Sequence, residues 1–163
     1  FGARSERRIP VFGDRKTLEG VQRMFPYLFD KTRYAEVAKL ELKEITGKFH
    51  VDGIDFEPVE LLHGRMPVLG FRIGDFAYLT DVSEIPEPSF HKLVGLKVLA
   101  LDALRPRPHP THFSLDEAVQ AARRIGAEST WLVHMSHEVG HEETSRTLSP
   151  GIQLATDQMT LHL

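Results

Sequence analysis

The stretch "VLALDALRPRPHPTHFSLDEAVQAARRIGAESTWLVHM", residues 98–135, predicts a strand, a loop, a helix and a second strand in succession. Its first four residues form a continuous apolar run, which is typical of a strand buried on both faces. Ser114 and Glu117 form an S-x-x-E capping box, so the helix begins after Ser114, and it ends at Gly126. "STWLVHM" is again a buried strand. This stretch therefore predicts a layered α/β structure.

Upstream of this stretch, three strand candidates follow one another closely: "DFEPVELL" (55–62), "VLGFRIG" (68–74) and "FAYLTD" (76–81). Gly74 and Asp75 are a hairpin signal between the last two. Earlier residues predict a strand at 9–12, a helix limited by Pro26 and an alternating strand, "KLELKEI". The last residues predict a hairpin that turns at Asp157 and Gln158. A meander followed by strand, helix and strand predicts a mixed sheet with helices on its faces.

Composition narrows the chemistry. The chain of 163 residues suits one domain, and 41% hydrophobic with 26% charged residues is typical of a soluble globular protein. No apolar run is long enough to cross a membrane, so we expect a cytoplasmic protein without membrane partners. Because cysteine is absent, any metal must be held by imidazole and carboxylate groups, and nine histidines are present. The net charge of −3 gives no overall attraction to nucleic acid, which we consider an improbable partner.

The residues His137, Glu138 and His141 match the H-E-x-x-H motif of zinc proteases. That motif requires a continuous helix, which brings both histidines onto one face. Here it begins just past a predicted strand, contains Gly140 and lacks a long apolar face. We therefore interpret it as a loop whose spacing is coincidental.

Other metal-capable residues end predicted strands, which is where chemistry collects in open α/β sheets. His63 closes "PVELLHG", Asp81 closes "FAYLTD", and His134 closes "STWLVH". Two imidazoles and a carboxylate suit zinc, manganese or iron. The alternative is that each is a structural polar group in a turn. His112 lies in the loop after "VLALDAL", where it either packs near the following helix or takes part in catalysis.

Three segments, residues 59–87, 98–127 and 130–138, together resemble the carboxyl-terminal two-thirds of hydrolases with the metallo-β-lactamase fold. The phosphodiesterases related to the phosphoribosyl cyclic phosphodiesterase of phosphonate breakdown are the most similar branch. The resemblance implies an α/β fold, the αββα sandwich of two mixed sheets between helical layers. It extends from "RRIPVFGD" to the end of the chain.

The resemblance implies a phosphodiesterase with two divalent metal ions, zinc or manganese, and a bridging hydroxide as nucleophile. His63, Asp81 and His134 correspond to metal ligands, with Asp81 shared by both ions. His112 corresponds to a catalytic acid or a stabiliser of the leaving oxygen. Glu138 and His141 have no catalytic counterpart. A small phosphodiester is the expected substrate, and a homodimer is left open as the assembly state.

One departure from this family is the absence of its H-x-H-x-D-H signature, which supplies most of both metal sites. We interpret residues 1–163 as a single domain that lacks its amino-terminal strands. Alone, it should then be poorly stable, with an exposed sheet edge, and inactive. Two other functions remain open: an RNA-processing nuclease of the same fold, and a scaffold that binds no metal.

Overall fold

The computed structural model describes residues 8–29 and 39–161, which form two compact units, residues 1–49 and 50–163. The first unit contains strand β1 (Ile9–Gly13), helix α1 (Arg15–Met24), a short 3-10 helix (Pro26–Leu28) and strand β2 (Leu40–Glu44), with β1 and β2 paired in parallel. Asp14 caps α1, because its Oδ1 accepts a hydrogen bond from the Thr17 N–H at 2.7 Å. The helix and both strands agree with the sequence patterns, including the helix end before Pro26.

The second unit is built on a seven-stranded sheet with the order β3-β4-β5-β6-β7-β8-β9. Strands β4, β5 and β6 are antiparallel neighbours, whereas β6 to β9 run parallel. The predicted mixed sheet is therefore confirmed. Its strands are β3 (Phe49–Val51), β4 (Ile54–His63), β5 (Met66–Ile73), β6 (Phe76–Leu79), β7 (Val98–Asp102), β8 (Ser129–Val133) and β9 (Ile152–Leu154).

One face of this sheet carries the core of the unit. Alternate residues of successive strands are fully buried there, among them Leu61, Leu79, Leu99, Leu101 and Leu132. Helix α2 (Leu115–Ile125) packs against β7 and buries its two alanines at 118 and 122. Each buried leucine contributes about 1.5–3 kcal/mol through removal of its side chain from water. This packing holds the strand ends at fixed positions.

The ends of α2 follow the sequence pattern. The Ser114 side chain and backbone complete the predicted capping box with Glu117, and Gly126 ends the helix with φ 70°. A 3-10 helix (Glu87–Leu93) and the short helix α3 (His141–Thr147) complete the unit.

The predicted closing hairpin is wrong. Strand β9 pairs in parallel with β8, with Ile152 beside Thr130 and Leu154 beside Leu132. A turn does occur at Asp157 and Gln158, but no returning strand follows it as far as residue 161. The apolar residues of β9 are buried in the core face of the sheet, and this burial places the strand beside β8. Among the described residues, no helix has the length and apolar character needed to cross a membrane.

Candidate metal centre

The carboxyl ends of β4, β6, β7 and β8 share one edge of the seven-stranded sheet. This follows because β4 and β6 both run opposite to β5, while β7 and β8 run parallel to β6. His63 is the last residue of β4, Asp81 lies two residues beyond β6, and His134 directly follows β8. Asp102, which ends β7, lies at the same edge. The topology therefore brings the three predicted ligands to one place.

The side chains of the predicted site residues form one cluster. His63, Asp81 and His112 each offer one ligand atom, and these atoms lie within 4.8 Å of one another. Asp81 Oδ1 is 3.5 Å from Nε2 of His134 and 3.9 Å from Nε2 of His112. The His112 ring centroid is 4.5 Å from that of His63 and 4.9 Å from that of His134. His112, predicted to be catalytic, thus lies where a ligand could also lie, and the role of each residue stays a prediction.

Asp102 is a part of the site that sequence reasoning missed. Its side chain is fully buried, and Oδ2 accepts hydrogen bonds from His112 Nδ1 at 2.7 Å and from the Val82 N–H at 2.9 Å. This contact fixes the His112 ring and leaves Nε2 directed toward Asp81. The signal was present in the sequence, because Asp102 is a carboxylate that closes the apolar run of β7, where burial of a charge requires a partner.

Backbone hydrogen bonds connect the loops that carry these side chains. Phe113 N–H donates to Val82 O at 2.8 Å, which joins the His112 loop to the loop after β6. Ala103 N–H donates to Val133 O at 3.0 Å, which joins the ends of β7 and β8. The cluster therefore rests on a connected frame rather than on independent loops.

The turn after His63 packs tightly against the His112 loop. Gly64 has φ 64°, and a Cβ on it would lie 3.0 Å from Thr111 Cγ2 and 3.3 Å from Pro110 O. Its N–H donates to Ser83 Oγ at 2.8 Å, and Ser83 Oγ donates to Leu62 O. A side chain here would push the two histidine-bearing loops apart.

Two of the clustered residues have unusual backbone angles. Asp81 has φ 55° and His134 has φ 63°, the left-handed region that costs an L-residue about 1–2 kcal/mol. Non-glycine residues persist in such conformations where the surrounding structure holds them, and they gather at functional sites. The two angles were not visible in the sequence.

The donor set fits a divalent metal ion. The Nδ1 atom of His63 is buried and has no hydrogen-bond partner among the described residues. A buried ring nitrogen without a partner is costly, and a metal ion would remove that cost. Imidazole and carboxylate together suit zinc and manganese. The residues present therefore fit the metal that the resemblance implies, although they do not amount to two full coordination shells.

His109 contributes a further ring at the edge of the cluster. Its ring centroid is 5.2 Å from that of His112, and its Nδ1 lies 3.3 Å from both N and Oγ1 of Thr111. Desolvation and the positive charge of Arg105 lower the pKa of His109 below its usual range. His109 is therefore mainly uncharged at neutral pH, a feature that the sequence alone did not indicate.

The H-E-x-x-H residues do not share a helix. His137 and Glu138 lie in the turn after β8, and α3 begins only at His141. The carboxylate of Glu138 is bound by Arg107, with 2.7 Å between Oε2 and the guanidinium. The two histidines are therefore not on one helical face, as the sequence analysis predicted.

The mixed sheet, its helices and the cluster at its edge define a protein of the metallo-β-lactamase fold. A model of the family described as the beta-lactamase superfamily domain matches residues 2–135, and the chain belongs to this family. The resemblance stated from the sequence is confirmed.

Comparison with solved structures agrees. A crystal structure of a diphosphatase from the PhnP family is 39% identical, with a TM-score of 0.87 over 96% of this chain and 59% of its own. The metallo-beta-lactamase fold protein YhfI from Bacillus subtilis is 16% identical, with a TM-score of 0.69 over 91% of this chain and 63% of its own, and this similarity supports the fold alone.

Among curated proteins, an octanoyltransferase of Porphyromonas gingivalis is 31% identical over 155 residues, which are 93% of this chain and 32% of that protein. The chain thus spans less than two thirds of each of these three relatives.

Proposed function

We propose that the full-length protein is a metal-dependent hydrolase that cleaves a phosphodiester at the cluster of His63, Asp81, His112 and His134. One observation carries the proposal: a half-exposed carboxylate, Asp81, lies 3.5 and 3.9 Å from the imidazoles of two histidines. The similarity to a diphosphatase from the PhnP family supports phosphoryl chemistry. Since this chain spans 59% of that structure, the proposal concerns the full-length protein.

His63, Asp81 and His134 would hold two divalent ions, zinc or manganese, with Asp81 contributing to both. When bound, such ions activate water as a nucleophile and neutralise the phosphoryl oxygens. The charge of Asp81 lowers the repulsion between two cations, which a neutral amide could not do. The orphaned Nδ1 atom of His63 supports a ligand role for that ring.

His112 would act on the leaving oxygen. Because the ionised Asp102 can only accept a hydrogen bond, Nδ1 of His112 carries a proton and Nε2 is the atom that faces the reaction. From there it can donate a proton or a hydrogen bond to the leaving group. Asp102 does not reach the substrate in this mechanism and acts as a positioning residue for His112.

The experiment is a turnover assay on the full-length protein, first freed of metal with a chelator and then supplied with zinc or manganese. We expect hydrolysis of bis(p-nitrophenyl) phosphate that is lost on chelation and restored by the metal. A protein that binds no metal and hydrolyses nothing would instead be the scaffold considered above. Faster cleavage of a short RNA than of small diesters would support the nuclease alternative, which the net charge of −3 disfavours.

We do not extend acyl transfer to this chain from the name of the Porphyromonas gingivalis relative. The chain corresponds to only 32% of that protein, so the name describes a molecule of which two thirds has no counterpart here.

A further inference from the structure

Two arginines and one glutamate form a second charged group in the loops that carry the histidine cluster. Arg107 contacts Glu138 Oε2 through Nε at 3.2 Å and through its terminal nitrogen at 2.7 Å. Arg105 approaches Oε1 of the same carboxylate at 3.9 Å. Arg105 and Arg107 lie in the loop that leads to His112, and Glu138 lies four residues beyond His134. Two positive charges thus share one negative charge.

The two arginines have different surroundings. Arg105 is largely covered, with its side chain 27% exposed, and it donates to the carbonyl oxygens of Arg107 and Pro108. Its guanidinium therefore holds the loop in shape. Arg107 is 73% exposed, and its printed contacts are to Glu138. Its guanidinium can consequently exchange one anionic partner for another.

This charged group lies beside the proposed reaction centre. The charge of Arg105 is felt by His109, whose ring centroid is 5.2 Å from that of His112. The Arg107 hydrogen bond, helped by both arginine charges, holds the pKa of Glu138 below its usual range. The glutamate is therefore ionised at neutral pH and occupies the guanidinium as an anion would.

We propose that Arg107, supported by Arg105, binds a second anionic group of the substrate, a phosphate beyond the diester that is cleaved. This inference rests on the proposed function. Guanidinium forks match phosphate oxygens with two parallel hydrogen bonds. An exposed ion pair such as Arg107–Glu138 is weak, so a dianionic phosphate can displace the carboxylate. Glu138 then orients Arg107 in the free protein and sets the threshold for binding.

The alternative is that the ion pair only fastens the loop to the turn after β8. In that case removal of Arg107 should affect all substrates alike, through the position of His112. The substrate class separates the two explanations, because only direct binding depends on the presence of a second phosphate.

The first test measures binding without turnover. Inorganic phosphate is titrated into full-length protein freed of metal, for wild type, Arg107→Ala, Glu138→Gln and the control Arg146→Ala. Arg146 is likewise exposed and paired with a glutamate, Glu142, but it lies on α3. We expect affinity to fall about tenfold in Arg107→Ala, to rise about threefold in Glu138→Gln, and to stay unchanged in the control. Equal affinity in all four proteins would overturn the inference.

The second test compares two substrates of the metal-loaded protein. They are thymidine 5′-(p-nitrophenyl phosphate) and the same compound with a 3′-phosphate. We expect wild type to favour the 3′-phosphate, and the ratio of the two kcat/KM values to fall about tenfold in Arg107→Ala and to rise in Glu138→Gln. A ratio that does not respond to either change contradicts the inference. Failure of wild type to cleave both compounds would contradict the proposed function, and the phosphate titration would still decide the inference.

Discussion

The two ends of the seven-stranded sheet treat their polar groups differently. Where β5 turns into β6, Gly74 occupies the position with φ 57°, and Asp75 pairs with Lys97 at 2.7 Å. At the opposite end, Asp81 and His134 have positive φ without being glycine, and buried atoms of His63 and Asp102 have no hydrogen-bond partner. We call these the turn end and the cluster end. Local rules are obeyed at the first and broken at the second, which is what a functional site requires.

A positive φ is not by itself the difference. Asp52 also has a positive φ, 46°, at the turn end, but it precedes Gly53 in the two-residue turn between β3 and β4. Positive φ at both positions is normal for such a turn, and Asp-Gly is a preferred pair. Asp81 and His134 have no such turn to explain them, so their strain is retained for another reason.

The largest expected effect separates the two ends through a matched pair of aspartates. Asp81 and Asp75 have side chains 51% and 50% exposed, so Asp→Asn removes a comparable charge at each. We expect Asp81→Asn to lose metal from the full-length protein, with affinity reduced by more than about 100-fold, since even indirect partners of a ligand contribute about 10–100-fold. Asp75→Asn should keep its metal. Metal analysis decides, and retention of metal by Asp81→Asn would remove Asp81 from the site.

The second effect concerns chemistry rather than metal. His112→Ala should keep the fold and the metal and lose about 10²–10⁴ in kcat, the usual contribution of a positioned acid or base. Turnover and metal content are measured on the same preparation of full-length protein. If the variant loses a metal ion, then His112 is a ligand, as its distance to His63 and Asp81 allows. Normal turnover would exclude both roles.

A third and smaller effect is expected at Asp102. Asp102→Asn removes the charge that holds Nδ1 of His112, and we expect kcat to fall about 10–100-fold while KM changes little. The pH dependence of kcat should shift as well, because the ring loses its charged partner. A merely structural residue would lower stability without moving the pH profile. An unchanged profile would therefore limit Asp102 to a role in packing.

The sequence predicted the site only as far as strand ends can be predicted. His63, Asp81 and His134 follow strands whose apolar patterns are clear, and parallel topology brings such ends together. Asp102 was missed because the apolar pattern of β7 was analysed without its last residue. The last hairpin was wrong because short apolar patterns do not specify whether a strand pairs with its neighbour in sequence or with β8. The backbone angles of Asp81 and His134 depend on tertiary packing and have no local signal.

The smallest effect tests whether the cluster end stores strain. His134→Gly should relieve a left-handed conformation that costs about 1–2 kcal/mol, partly offset by the greater freedom of glycine in the unfolded chain. We therefore expect the metal-free full-length protein to gain roughly 1 kcal/mol in its free energy of unfolding, while it binds metal less well. At the turn end, Gly74→Ala imposes the strain that His134→Gly removes, so its stability should fall by a similar amount. Urea unfolding of both variants without metal gives the two signs directly. If His134→Gly destabilises the protein, the positive φ is relaxed by its surroundings, and the contrast between the two ends rests on Asp81 and the unpartnered buried atoms alone.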